Sequence, residues 1–546
     1  MKEKTLETFI KHSNQNQTHN SKGQNYENIY NIHNNKNTEK MNSNRHSDLS
    51  KYNEVPSTKE ILLNISYTAF PVALSFVCIL LQQTVVLSFL GHKYNNQFII
   101  EGIGISNVYV NCSLLSVING LTSAFDTFGA NSLGVKNMKV FGYYYHKTLL
   151  ISFSVGISIL IFNFLFAVRI IAFCGLNAEI MFFCEQYIQI LMFYVLFDIV
   201  FLTNFRYLNL VNMSYMNVII LVITLFFHPI LCYFTITIFD FGIKGGAISL
   251  VFTQFLNALF SSLWVLYYSP YPDSIFFFTK ESFEKWSEYI KLSLPATFLY
   301  CAEVWAFEIF ALIALWCSDF DFSVFILINN VAYISYCLAV GFSTSVTLLV
   351  GEYISVNNIE AIKKIKLIAI IYGVSVMFFN SILIFIFRRE IFRLFIDDEA
   401  IIELGQKCLK IICFAQILDL YQTIYQGYFR GVGKHFIASL LCFSNFYILM
   451  LGFSVLFAKV MGYGAFGLVF SYLLSELISS IAYTVIETYF DYDELYKEAL
   501  ERVTESPKPC PSNAKIYSRN ISFHYFELKE EDLNDKEINI EMKAYN

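Results

Sequence analysis

Two carboxylates stand in an otherwise apolar stretch of the chain. In "AEVWAFEIF", residues 302–310, Glu303 and Glu308 lie among tryptophan and phenylalanine side chains. If this stretch crosses a membrane, each ionised carboxylate costs about 2.5–3.5 kcal/mol at mid-depth, and such a residue usually faces a cavity or a partner. The two glutamates are therefore candidates for binding a cation or a proton.

Helical geometry separates these two glutamates. Five residues correspond to about 500° of helical rotation, so the side chains of Glu303 and Glu308 point about 140° apart. One can line a cavity while the other faces a neighbouring helix, and either can be a structural hydrogen-bonding group. Asp419 adds a third carboxylate and follows Gln416 in "AQILDLYQTIYQGYFRG". Because burial favours the protonated form of a carboxyl, the three acids suggest a protonation site.

Three further acidic residues lie within apolar stretches, where structural roles fit them as well as transport does. Asp198 can belong to a cavity in the first half of the chain or can pair with Arg206. Glu476 fits a hydrogen bond across a helix interface, and Asp126 fits an anchoring position near a helix end. These residues are weaker candidates for transport.

The composition is that of a membrane protein. Of 546 residues, 55% are hydrophobic and only 15% are charged, whereas soluble domains are about a quarter charged. The net charge of −6 indicates no nucleic-acid partner. The cysteines lack CxxC pairs and metal-ligand spacing. The motifs GxxxxGKS/T, GxSxG and HExxH are absent, so we expect no ATP hydrolysis, no enzyme and no cofactor.

Apolar runs of about 20 residues, enough to span a bilayer, recur between two polar ends. They predict an all-α integral membrane protein with twelve transmembrane helices, near 60–90, 102–131, 146–172, 183–205, 214–240, 245–268, 291–317, 322–350, 366–387, 404–429, 435–459 and 463–488. The predicted domains are a disordered Asn-rich cytosolic tail (1–55), a first lobe with helices 1–6 (56–270), a cytosolic interlobe loop (271–290), a second lobe with helices 7–12 (291–490) and a charged cytosolic tail (491–546).

Basic residues predict the orientation. Lys and Arg concentrate in the loops that follow even-numbered helices, although Arg388, Arg389 and Arg393 follow an odd-numbered one. Because short cytosolic loops carry an excess of basic residues, we expect the even loops and both termini in the cytosol.

An internal duplication divides the chain into two halves. Four features repeat at offsets of 220 to 224 residues (for example 341 − 120 = 221): Gly120 with Gly341, Pro71 with Pro295, Arg206 with Arg430, and Gly242 with Gly462. Six helices per repeat predict two pseudo-symmetric lobes related by an axis along the membrane normal, with a central cavity. This is the architecture of an alternating-access transporter, and the glycines at 120, 341 and 431 suggest close helix packing.

Several motifs together resemble the eukaryotic branch of the multidrug and toxic compound extrusion (MATE) family. They are "FPVALSFVCILLQQTVVLSFLGH", "GLTSAFDTFGANSLGVKN", "CAEVWAFEIF" and "DLYQTIYQGYFRGVGKHFIAS". Their order and spacing carry the resemblance, which covers about residues 60–505.

The resemblance implies cation/proton antiport, in which an organic cation leaves the cytosol as protons enter. The residues implied in cation and proton binding are Glu303, Glu308, Asp419, Gln416, Asn330 and Gln82. We therefore expect small organic cations and membrane lipid as partners, the proton as coupling ion, and a functional monomer. The expected location is the plasma membrane or an internal, vacuolar or vesicular, membrane.

Departures from the family pattern place the coupling in the second half. Asn330 stands where some animal members have glutamate, and Gln416 where some have histidine. Val86 stands where certain prokaryotic members have a coupling aspartate, which argues against a proton site in the first half.

Other functions stay open. Sodium is the alternative coupling ion, because carboxylates and Asn330 also suit a hard cation. A lipid-linked precursor flippase shares the general fold, but its cavity should be basic and this second half is acidic. A channel or receptor-like scaffold would show no coupling to a gradient. A major-facilitator transporter should carry an acidic–basic motif between the second and third helices, which is missing here.

Overall fold

Twelve long helices build the described part of the chain, in agreement with the prediction from the sequence. The computed structural model describes residues 54–94, 96–173, 177–393 and 398–504, and most of the predicted tails, 1–55 and 491–546, lies outside them. The helices, named α1 to α12 in chain order, are Thr58–Tyr94, Phe98–Gly134, Met138–Ala172, the bent pair Ala178–Leu191 and Tyr194–Leu210, Ser214–Ile238, Ile243–Tyr268, Trp286–Cys317, Asp319–Ile354, Ile359–Ile386, Glu399–Gly431, His435–Val460 and Gly464–Glu487. The described residues form no strand.

Most of these helices are long and apolar enough to cross a membrane. Within the described residues ten pass this test unbroken, and α4 is an eleventh if its two parts, bent by 48°, are one span. Helix α10 is less apolar, because it carries a row of buried polar side chains, Gln416, Asp419, Gln422 and Gln426. Neighbouring helices therefore cover these side chains, as is usual for polar residues at membrane depth.

Shorter elements connect and follow the spans. They are the 3-10 turns Pro272–Ser274 and Lys280–Phe283, the short helix Arg388–Arg393, and a last helix, α13, at Tyr492–Thr504. Helix α7 begins at Trp286, inside the predicted interlobe loop 271–290, and α13 lies inside the predicted charged tail.

The duplication seen in the sequence recurs in the backbone. Six of the nine described residues with positive φ occur in matched pairs, Lys136 with Asn357, Asn212 with Gly433, and Gly242 with Gly462. In the first pair the offset is 357 − 136 = 221. The asparagines that follow that pair, Asn137 and Asn358, both cap the next helix by accepting a backbone N–H hydrogen bond. Helices α1–α6 and α7–α12 therefore form two lobes built from the same turns at the same positions.

Matched glycines allow the two lobes to touch. A Cβ atom at Gly341 of α8 would lie 2.2 Å from the Ala69 carbonyl oxygen of α1, and one at Gly120 of α2 would lie 2.3 Å from the Thr297 Cα of α7. Because no other residue lacks a Cβ, glycine is needed at both crossings. Small residues permit such close backbone approach between membrane helices, as the sequence suggested.

We expect Gly341→Ala to destabilise the closed contact between the lobes. The clash is with backbone, so relief requires helix movement, and overpacking of this kind costs about 1–3 kcal/mol. The measurement is the midpoint of thermal unfolding of the detergent-solubilised protein. Size-exclusion chromatography after heating detects the loss of folded protein. Gly452→Ala on α11 is the control, because its Cβ would meet nothing within 4 Å. Equal midpoints for the two variants would contradict the close approach.

One end of the molecule is closed by contacts between the lobes. Thr127 Oγ1 of α2 donates to the Arg430 carbonyl oxygen of α10 at 2.8 Å, and Asn131 Nδ2 donates to the Gly351 carbonyl oxygen of α8 at 2.8 Å. The first described residues lie at this end too. Asn358, which follows α8, donates from Nδ2 to the Glu54 carbonyl oxygen at 3.2 Å.

Helix α13 joins both lobes at the closed end. Its Arg502 donates to Asn131 Oδ1 of the first lobe at 3.3 Å, and the Arg502 carbonyl oxygen accepts from Tyr144 at 2.6 Å. On the second lobe, Glu498 pairs with Lys434 at 2.7 Å. The helix thus lies across the boundary between the lobes.

Candidate functional site

Three carboxylates come together inside the second lobe. Glu303 on α7, Asp419 on α10 and Glu476 on α12 lie in one another's electrostatic field. Asp419 is 6% exposed and Glu476 is fully buried. Because the desolvation of a charge is expensive, a group of three acids at this depth is suited to hold protons or cations.

Tyrosines from two helices contact this acidic group. Tyr336 of α8 lies near Glu303, and Tyr472 of α12 lies near Asp419, each within the electrostatic field of the acid. Each hydroxyl can donate to an ionised carboxylate or accept from a protonated one. The tyrosines therefore support both protonation states of the acids they face.

Arg430 is the cation that acts on this group from the closed end. Its guanidinium acts electrostatically on Glu303, donates to Ser343 Oγ at 2.8 Å and to the Tyr300 hydroxyl at 3.3 Å, and lies 6.0 Å from the Tyr300 ring centroid. Among the described residues Arg430 is thus the positive charge that acts on Glu303, and none acts on Asp419 or Glu476, so the site attracts further positive charge.

Four residues proposed from the sequence lie elsewhere or have different surroundings. Glu308 is half-buried near the Cys112 thiol of α2, on the side of α7 that faces the first lobe. Asn330 is exposed, and Gln82 lies in the first lobe, where it donates to Thr224 Oγ1 at 3.3 Å. Gln416 is buried one turn before Asp419, and neither of its amide atoms has a partner among the described residues. The structure thus groups Glu303 with Asp419 and keeps Glu308, Asn330 and Gln82 apart from them.

Glu476 joins the group although the sequence made it a weaker candidate for transport. It accepts a hydrogen bond from Asn445 Nδ2 of α11 at 2.9 Å, so the interface bond suggested from the sequence exists. Its proximity to Asp419 depends on the packing of α12 against α10, which the sequence does not reveal. The available signal was an acidic residue in an apolar helix, which marks a functional candidate by default.

The first lobe holds a buried polar chain rather than an acidic group. Asp198 accepts from Gln254 Nε2 at 2.8 Å, Gln254 Oε1 accepts from Asn257 at 2.9 Å, and Asn257 Oδ1 accepts from Thr224 at 2.6 Å. The suggested pairing of Asp198 with Arg206 is wrong, because packing turns Asp198 towards α6.

Arg206 pairs with Asp126 instead. Its Nη1 donates to Asp126 Oδ2, while Nε donates to Thr122 Oγ1 and Nη2 to the Asn119 carbonyl oxygen, both at 3.1 Å. The second half has no equivalent carboxylate, because Thr347 occupies the position that corresponds to Asp126 (347 − 126 = 221). Arg206 is therefore neutralised by a salt bridge, while Arg430 is left to act on Glu303.

No metal centre is found within the described ranges, where no three His, Cys, Asp or Glu side chains are placed to hold one ion. The three carboxylates of the second lobe are thus close enough to interact electrostatically, but they are not arranged as ligands of a shared metal.

Comparisons with known proteins agree with the duplicated helical fold. The MatE family model matches residues 71–234 and 295–456, once in each half and over more than half of the chain. Multidrug and toxin extrusion protein 1 of Danio rerio is 23% identical over 456 residues, covering 81% of this chain and 75% of that protein. Protein DETOXIFICATION 48 of Arabidopsis thaliana is 23% identical over 479 residues, covering 86% and 88%.

Solved structures show the same fold. The crystal structure of the eukaryotic MATE transporter AtDTX14 superposes with a TM-score of 0.76 at 18% identity, covering 82% of this chain and 99% of that one. An outward-facing MATE family transporter superposes with a TM-score of 0.72 at 15% identity, covering 81% and 98%. With two matches to the family model and this architecture, the chain is a multi-pass membrane protein that belongs to the MatE family.

Proposed function

We propose that this protein exports small organic cations in exchange for protons by alternating access. The observation that carries the proposal is the pair of half-buried Glu303 and buried Asp419, on different helices of one lobe, with Tyr336 and Tyr472 nearby. Two acids in each other's field bind positive charge strongly when ionised and weakly when protonated, which is what exchange requires.

Aromatic side chains beside the acids suit an organic cation. The Phe307 ring of α7 lies 6.1 Å from the Tyr472 ring and 5.5 Å from the Phe446 ring, measured between centroids. Aromatic faces attract desolvated cations, and the carboxylates supply the opposite charge. The names of the relatives, multidrug and toxin extrusion proteins, agree with this substrate class.

The proposed mechanism is competition between protons and substrate. With the site open to the cytosol, ionised Glu303 and Asp419 attract the cation. With the site open to the other side, protonation removes that attraction and releases the cation. A ligand shifts the equilibrium between the two states only by its differential affinity for them, so proton and cation must share this site or act on it together.

The contacts between the lobes support an assignment of the conformation. If both termini are cytosolic, as the distribution of basic residues predicts, the end closed by Thr127 and Asn131 is the cytosolic end. The described conformation is then closed towards the cytosol. We propose a functional monomer in the plasma membrane or in an internal membrane.

The test is efflux of a fluorescent organic cation such as ethidium from proteoliposomes, driven by an imposed pH gradient. We expect efflux when protons can move inwards, and its loss when a protonophore collapses the gradient. Protein-free liposomes and a matched sodium gradient are the controls.

Each other outcome would select a different function. Efflux driven only by sodium would favour sodium coupling, for which the unpartnered amide oxygens of Gln416 and Asn445 are suitable ligands. If neither gradient drives any organic cation, the antiport proposal fails and a lipid-linked precursor flippase becomes the better hypothesis.

A further inference from the structure

A second set of buried polar side chains adjoins Asp419 on α10, α11 and α12. It consists of Gln422 on α10, Asn445 on α11, and Glu476 and Ser479 on α12, which we call the inner polar cluster. Their exposed fractions are 0%, 1%, 0% and 3%. Gln422 is one helical turn from Asp419, and Glu476 is one turn from Tyr472, so the inner cluster adjoins the acidic site on two helices.

The inner polar cluster is incompletely hydrogen-bonded. Asn445 Nδ2 donates to Gln422 Oε1 at 3.1 Å and to Glu476 Oε1 at 2.9 Å. Glu476 Oε2, Asn445 Oδ1, Gln422 Nε2 and Ser479 Oγ have no partner within the described residues. Buried polar atoms are nearly always paired, so four open atoms in one place indicate a group that the cluster is built to accept.

The backbone around Asn445 is also specialised. Asn445 lies in a π-helical segment, Ser444–Met450, within α11. Such segments are rare and occur frequently at functional sites. The wider turn and the open atoms are independent observations about the same residue.

The charges that act on Glu476 are unfavourable to its ionised form. Asp419 of α10 and Glu303 of α7 act on it directly, and among the described residues no lysine or arginine does so. The other titratable groups in its field are Cys442 of α11 and Tyr472 and Tyr483 of α12. A proton neutralises Glu476 without adding a heavy atom to the packed cluster.

We propose that Glu476 is an inner proton-binding site that exchanges its proton with Asp419 and adds one proton to the transport cycle. This proposal rests on the proposed proton antiport. In the exchange, a proton leaves the Asp419 carboxyl and binds Glu476, while Tyr472 lies in the electrostatic field of both acids. Asp419 becomes a carboxylate and Glu476 a neutral acid, and Tyr472 is unchanged.

The amides of the cluster fit both forms of Glu476. In the present arrangement Asn445 donates to Glu476, which suits a carboxylate. When Glu476 is protonated, rotation of the Asn445 amide presents its open Oδ1 as the acceptor for the new O–H group. Gln422 rotates with it, and its open Nε2 then donates to the same oxygen. A pair of amides can therefore follow the proton without moving the helices.

The experiment compares wild type with Glu476→Gln in proteoliposomes held at zero membrane potential. The limiting concentration ratio of the organic cation is measured across a gradient of one pH unit. Each coupled proton contributes about a factor of ten to this ratio, so we expect the ratio to fall about tenfold in the variant. Binding of the cation to solubilised Glu476→Gln at high pH is measured alongside, to separate a change in affinity from a change in the number of coupled protons.

Infrared difference spectra between low and high pH provide a second readout. One carboxyl C=O band should disappear in Glu476→Gln and shift in Glu476→Asp, which a merely structural role would not cause. An unchanged limiting ratio and an unchanged set of bands would overturn the inner site while leaving proton antiport in place. If no pH gradient drives the wild type, both proposals fail. A sodium-dependent ratio would overturn the proton assignment and make the cluster a sodium site.

Discussion

Glu303→Gln and Asp419→Asn should each reduce pH-driven efflux of an organic cation by at least tenfold. Each change removes a charge that faces the cation while keeping the size of the side chain. Opposite unit charges about 4 Å apart gain about 4 kcal/mol at an effective dielectric constant near 20, which corresponds to about a thousandfold in affinity. The measurement is the initial rate of efflux from proteoliposomes under a fixed pH gradient.

Two glutamates on the same helices are matched controls for these variants. The first control is Glu288→Gln, because Glu288 lies near the start of α7 and faces Lys285 at 3.9 Å. The second is Glu403→Gln, because Glu403 lies on α10 with a side chain that is 73% exposed. Both should transport normally. The double variant of Glu303 and Asp419 should lose little more than either single one, because residues that share a site are not additive. Normal efflux in both single variants would contradict the site.

The second large effect is a loss of folding stability when the salt bridge between Asp126 and Arg206 is broken. Asp126→Asn leaves the Arg206 guanidinium buried without a counter-charge. Breaking a buried ion pair in this way costs about 3–5 kcal/mol, so we expect poor yield and a strongly lowered midpoint of thermal unfolding in detergent.

A double variant separates the loss of the pair from the loss of one charge. Asp126→Leu combined with Arg206→Met removes both charges, and it should be more stable than Asp126→Asn, because no charge is left unpaired. Lys407→Met breaks an exposed pair with Glu403, and such pairs are worth about 0–1 kcal/mol. A double variant less stable than the single one would show that the carboxylate and the guanidinium act through other contacts.

The sequence predicts the fold well because hydrophobic length and internal repetition are both local properties. All twelve helices lie where apolar runs predict them, and the matched glycines Gly120 and Gly341 both lie at close approaches to a helix of the other lobe. Helix ends are less predictable. Helix α3 begins at Met138 rather than near residue 146, because residues such as His146 and Lys147 read as a loop although the structure buries them.

The candidate site is predictable only in part, because side-chain partners depend on packing between helices. An acid in an apolar run is visible in the sequence, so Glu303, Asp419 and Glu476 could all be noted. That Glu476 lies beside Asp419, and that Asp198 faces Gln254 rather than Arg206, depends on how α12, α10, α6 and α4 rotate against one another. Helical periodicity does not determine those rotations.

Helix α13 has a consequence for the timing of a transport cycle. It contacts Asn131 and Tyr144 on one lobe and Lys434 on the other, and these three contacts coexist only while that end is shut. Opening there must break the contacts with one lobe, so their free energy becomes part of the activation barrier for that step. In the proposed alternating-access cycle, helix α13 would therefore hold the closed state and set its lifetime without touching the substrate.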